Sequence, residues 1–183
     1  SSLSHVFTIA IKEWGWLSEN PVHKISKPKV TNGRVRFLSD EERIRLLTAC
    51  KESRCSILYL VVILALSTGM RYGEIMNLTR SDVDIENEVI TLKETKNGET
   101  RSLPLVGHPL ELLKSHILAI SKPSSLIFPS PANPHKPIDI RSAWERAVQT
   151  ADITNFRFHD LRHTTASYLA MSGHSLLDIA TLL

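Results

Sequence analysis

The stretch FRFHDLRHTTASYLA, Phe156 to Ala170, sets two arginines, two histidines and an aspartate within seven residues and then turns apolar. His159 and Arg162 are three apart, so a helix that starts early enough gives them a common face. Upstream, Arg71 and Glu74 have the same spacing just after a glycine turn, and Lys96 stands directly before Asn97-Gly98. Taken singly, each has a plain structural reading. Arg71 pairs with Glu74 on the surface, Lys96 is a solvated hairpin tip, and Asp160 favours the positive end of a helix. Taken together, two arginines, a lysine and a histidine from separate elements suit a phosphodiester. Arginine forks grip non-bridging phosphate oxygens in pairs, and they matter most when negative charge builds up in a transition state. A second chemistry stays open. His159 and His163 are four apart, the spacing of the histidines in the H-E-x-x-H zinc motif, with Asp160 where the glutamate would stand. Against it, Arg162 would put a positive charge beside the cation, and no third ligand stands out.

These residues need elements to hold them. Leu161, Thr165 and Leu169 fall at i, i+4 and i+8, the core-facing stripe of a helix over residues 161–171. A further helix follows at 175–183. Ser39 and Glu42 have capping-box spacing and open a helix. The apolar run Ile57 to Leu66 is too short to span a bilayer and reads as a buried helix over 56–67, stopping near Gly69. The next helix begins around Met70 and carries Arg71, Glu74, Ile75 and Leu78. The period then changes to two: Val89, Thr91 and Lys93 alternate with Ile90 and Leu92, and Asn97-Gly98 is a strong hairpin signal. The return strand covers 101–105, and Val83 with Ile85 supplies a possible third strand. Helices resume at 109–120 and 140–151 around a proline-rich loop, FPSPANPHKP. The pattern predicts a mainly α domain with a small antiparallel β-sheet.

At the other end, Leu3, Phe7, Ala10, Trp14 and Leu17 recur at helical spacing. After them comes NPVHKISKPKVTNGRVR, with Lys24, Lys27, Lys29, Arg34 and Arg36 and no acid, which reads as an extended basic linker. The 183 residues carry a net charge of +3, a balance that permits a polyanionic partner without requiring one. Cys50 and Cys55 lack metal-site spacing and read as free thiols of a reducing cytoplasm.

ALSTGMRYGEIMNLTRSDVD (Ala65 to Asp84), TLKETKNGETRSLPL (Thr91 to Leu105), SLIFPS (Ser125 to Ser130) and FHDLRHTTASYLAMSGHSLLDIATLL (Phe158 to Leu183) occur in the order seen in the tyrosine recombinases, the phage integrase family, which the chain resembles from Phe37 to Leu183. The resemblance implies an incomplete catalytic domain over 37–183, a basic linker over 20–36, and, over 1–19, the last helix of an N-terminal core-binding domain. It implies site-specific cleavage and rejoining of double-stranded DNA through a 3′-phosphotyrosine, with no metal and no cofactor. Arg71 and Arg162 would hold the phosphate, His159 would donate a hydrogen bond or move a proton, and Lys96 would act as general acid. Glu74 and His163 would orient them, and Lys24, Lys27, Lys29, Arg34 and Arg36 would track the DNA backbone. The family's nucleophilic tyrosine falls beyond Leu183 in this pattern, and Tyr59, Tyr72 and Tyr168 are expected to be packing residues. The parent protein is expected to work as a tetramer on DNA, away from membranes, and this piece alone to be monomeric and inactive. A non-catalytic DNA-binding module is the alternative that keeps the linker and the grip without the chemistry.

Overall fold

The computed structural model describes residues 2–26, 36–92, 100–120 and 125–182. Lys27, Lys29, Arg34, Lys96 and the Asn97-Gly98 turn lie outside them. The chain forms two units, residues 1–34 and 35–183.

In the first unit, helix α1 runs Ser2–Lys12 and a 3-10 turn covers Pro21–Lys24. Asn20 ties the two together. Its side-chain amide donates to the Ser4 carbonyl at 2.9 Å, while its carbonyl oxygen accepts from the Val22 amide and caps the 3-10 turn. The helix is shorter than its apolar stripe suggested. Gly15 adopts φ +64°, a left-handed conformation that turns the chain, and the Trp16 amide returns to the Ala10 carbonyl. Trp14 and Leu17 therefore leave the stripe. Trp14 instead packs on Trp16, with ring centroids 4.6 Å apart.

The second unit begins with a pinned entry. Leu38 is buried, and its amide donates to Thr164 Oγ1 at 3.1 Å. Ser39 then caps helix α2, Asp40–Lys51, with the reciprocal Ser39–Glu42 box that the sequence predicts. Helix α3, Leu58–Thr68, is apolar on nearly every side, as the central helix of a bundle must be. It packs against α2 and against the elements that follow: α4 (Tyr72–Met76), α5 (His108–Ala119) and α7 (Asp160–Met171). Helix α6, Arg141–Thr150, lies on α2, and α8, Leu176–Leu182, follows α7. Strands β1 (Val83–Asp84), β2 (Val89–Leu92) and β3 (Arg101–Pro104) pair antiparallel in that order, with Leu92 opposite Arg101. The chain around Ser125 to Phe128 runs beside Leu78 to Arg80, where the Ile127 amide donates to the Leu78 carbonyl at 2.8 Å. The unit is thus mainly helical with a small antiparallel sheet. Among the described residues no helix is long and apolar enough to cross a membrane. Cys50 and Cys55 are free thiols, and burial pushes Cys50 up to about 12, which makes it unreactive.

Thr164 is fully buried, and its hydroxyl also donates to the Asp160 carbonyl at 2.9 Å. Valine has the same shape but no acceptor, so Thr164→Val strands the Leu38 amide. The expected result is a loss of about 1–3 kcal/mol in denaturant unfolding, with faster exchange of the Leu38 amide proton.

Candidate active site

Gly69 ends α3. Its φ of +65° is left-handed, and its amide returns to the Ala65 carbonyl at 3.0 Å. This turn delivers Arg71 to the N-cap of α4, one position before the helix rather than within it. Glu74, on the first turn of α4, folds back. Its Oε2 accepts from the Arg71 amide at 2.8 Å, and its Oε1 from the Arg71 guanidinium at 2.6 Å. The i, i+3 spacing read from the sequence is a salt bridge, and it is also the cap of a helix.

Arg162 arrives on α7. Its Nη1 donates to the Gly69 carbonyl at 2.7 Å. One turn further along, Thr165 Oγ1 donates to the Leu66 carbonyl at 2.9 Å. Both reach the C-terminal end of α3, where carbonyls lack helical partners and the dipole favours a cation. The aromatic neighbours of the two segments pack as well. Tyr72 meets Phe158 edge-on at 5.0 Å, and Phe158 meets Trp144 at 5.1 Å. Residues adjacent to Arg71 and His159 in sequence thus hold the α4 and α7 starts together.

A third arginine joins, one that sequence reasoning missed. Arg101, at the start of β3, donates through Nη2 to Glu74 Oε2 at 3.1 Å. Its partner lies 27 residues away, and a lone arginine in a return strand carries no signal of that contact. Glu74 therefore serves two guanidiniums, with a third close by. Burial, then the charges of Arg71 and Arg101, lower Arg162 to about 10 against the opposing pull of Glu74. Burial pushes the Glu74 carboxyl up, yet its bonds to Arg71 and the nearby Arg101 charge outweigh this, and its net shift is down. The site holds three positive side chains against one carboxylate, with Arg71 about 40% exposed. An anion placed there would find guanidinium donors already partly desolvated.

His159 precedes α7, and its ring stands edge to face with His163, centroids 5.1 Å apart. Both residues are exposed. Partial desolvation, then the charges of His163, Arg162 and Arg71, lower the His159 imidazole from the ordinary histidine value despite Asp160, and so favour the neutral ring. In an NMR titration, the His159 midpoint should lie below that of an unperturbed histidine and move upward in Arg162→Gln, which removes one of the opposing charges. A midpoint unmoved by that substitution would mean that the two side chains do not share a field.

Not every predicted residue joins this group. Lys24 pairs with Glu19. Arg36 is held by Glu42 at 2.9 Å through Nη1 and lies over the Phe156 ring at 5.5 Å. Among the described residues there is no cluster of three or more His, Cys, Asp and Glu side chains suited to a metal ion.

An arginine that caps one helix, a second arginine on another, a histidine one turn before the second and a small sheet beside them define a class. The sequence matches the phage integrase family over residues 36–183, and the chain belongs to that family. Over 98% of its length it is 35% identical to the shufflon-specific DNA recombinase of Escherichia coli, across 45% of that protein. It is 33% identical to the integrase of Salmonella phage P22, covering 94% of this chain and 46% of that one. The catalytic domain of bacteriophage HP1 integrase superposes with a TM-score of 0.64 at 29% identity, covering 82% of this chain and 80% of that domain. The chain spans about half the length of these curated relatives.

Proposed function

We propose that the protein cleaves and rejoins double-stranded DNA at specific sites, as the catalytic part of a recombinase acting through a 3′-phosphotyrosine. The observation that carries this reading is the arginine group around Glu74: two guanidiniums bonded to one carboxylate and a third fastened to the Gly69 carbonyl. Arg71 and Arg162 grip the non-bridging oxygens of the scissile phosphate, where charge grows as the phosphorus becomes five-coordinate. His159 donates a hydrogen bond to that phosphate. A tyrosine from outside these 183 residues gives up its phenolic proton to solvent and forms the new O–P bond as the P–O5′ bond breaks. Lys96 protonates the departing 5′-oxygen. The reverse attack, by a 5′-hydroxyl of a partner strand, releases the tyrosine and joins the new strand. Glu74 and His163 orient the gripping groups. The reaction needs no metal and no cofactor, and the whole protein assembles as a tetramer on DNA.

The test is a denaturing gel of labelled DNA carrying the recombination site, with the full-length protein and chelator present throughout. A covalent protein–DNA band is expected. No band in chelator, but one when metal is supplied, would overturn the metal-free mechanism.

The basic run contributes by neutralising phosphates, and its members differ. Lys24 and Arg36 are engaged with Glu19 and Glu42. Replacing Lys27 and Lys29 by alanine should reduce the salt slope of DNA binding by about one unit for each phosphate no longer neutralised. Arg36→Ala should act on stability instead. An unchanged slope in the lysine variants would make them solvated linker only.

A further inference from the structure

We infer that Arg101 is a positioning residue for Arg71: it holds the Glu74 oxygen that caps the Arg71 amide, and so keeps the Arg71 guanidinium on the other oxygen and turned toward the phosphate. The inference rests on the recombinase reading above, but its geometry stands by itself. Glu74 Oε2 accepts from the Arg71 amide at 2.8 Å and from Arg101 Nη2 at 3.1 Å, while Oε1 accepts from Arg71 Nη1 at 2.6 Å.

Exposure separates the two arginines. The Arg101 side chain is 13% exposed and Glu74 16%, whereas Arg71 is 40% exposed. Arg71 is the one that reaches outward, and Arg101 lies behind the carboxylate. A carboxylate bonded only to its own helix N-terminus can still rotate about its side-chain torsions. Arg101 removes that freedom, because its backbone is fixed in the β2–β3 ladder opposite Leu92. The sheet is thereby connected to the turn that carries Arg71. Small errors in such a group are costly, since a misplacement of about 1 Å in a reacting array can cost about a hundredfold in rate.

The full-length protein is assayed for single-turnover strand cleavage and, separately, for DNA affinity. Arg101→Ala should slow cleavage about tenfold to a hundredfold while leaving affinity within about twofold, because the phosphate grip is misaimed rather than removed. Arg101→Lys keeps a cation behind Glu74 and should recover part of the loss. Added to Glu74→Gln, Arg101→Ala should cost little more, because both act through one carboxylate. Cleavage at the wild-type rate in Arg101→Ala would overturn the inference. So would a loss fully additive with Glu74→Gln, which would mark a general packing role. The free protein gives a readout that needs no catalysis. The Arg71 guanidinium NMR signals should be ordered in the wild type and mobile in both Arg101→Ala and Glu74→Gln. If the wild type forms no adduct yet Arg71 is ordered through Arg101, the recombinase reading falls and the linkage stands. If the adduct forms but Arg71 is equally mobile with and without Arg101, the linkage falls alone.

Discussion

Arg162→Ala should slow DNA strand cleavage by about a hundredfold or more, the scale for removing a preorganised charged donor from a developing oxyanion. The side chain stays protonated at neutral pH, because its lowered pKa is still about 10. Its loss therefore takes away a full charge and a fork of donors. It also strands the Gly69 carbonyl, which accepts from Arg162 Nη1 at 2.7 Å. Arg162→Lys should restore little. A lysine is a point charge on a flexible stem, and its three N–H donors diverge from one nitrogen, so it lacks the flat fork that can hold Gly69 with one edge and a phosphate with another. Arg71→Ala should fall in the same range. The measurement is the single-turnover cleavage rate alongside thermal melting. Cleavage within about threefold of wild type in a folded Arg162→Ala protein would exclude Arg162 from the phosphate site.

None of the tyrosines within the 183 residues should act as the nucleophile. In the full-length protein, phenylalanine at position 59, 72 or 168 should leave the covalent band intact, and these 183 residues alone should give no band. Each side chain is already engaged. Tyr59 shares a hydrogen bond with His108 at 3.1 Å. Tyr168 donates to Asp40 Oδ1 at 2.6 Å beneath the Arg43 guanidinium. Tyr72 is the nearest to Arg71 in sequence, but its ring sits edge-on against Phe158, and burial raises its pKa. A raised pKa keeps the phenol protonated, the opposite of what an attacking oxygen needs. A covalent band from the 183 residues, traced to Tyr72 by peptide mapping, would reverse the assignment.

Local signals in the sequence carried far. The Ser39–Glu42 box, the all-apolar α3 and the glycine stop before Arg71 each depend on residues within one or two helical turns, and the structure has all three. The start of α4 shifted by a residue or two because Arg71 caps the helix through Glu74, an arrangement compatible with the same i, i+3 spacing. The α1 stripe over-ran because periodicity counts Trp14 and Leu17 but does not see the left-handed Gly15 between them. At the candidate site, only the family resemblance set Arg162 beside Arg71, whereas the Arg71–Glu74 pair was legible from its i, i+3 spacing. Arg101 was not, since its partner lies across the sheet-to-helix boundary. Nor was the Gly69 carbonyl, because a backbone acceptor leaves no mark in a sequence. Arg36 was read by composition as part of a basic run, and composition cannot show that Glu42 holds it.

The same peptide that ends α3 and launches Arg71 also receives Arg162, so Gly69 works as the pin of a calliper. When the helices of a domain breathe, the positions of two side chains on different helices normally drift independently. Here both are tied to one peptide: Arg71 follows it by two residues, and Arg162 Nη1 donates to its carbonyl at 2.7 Å. The width of the grip therefore depends on one turn of backbone as well as on the packing of the bundle.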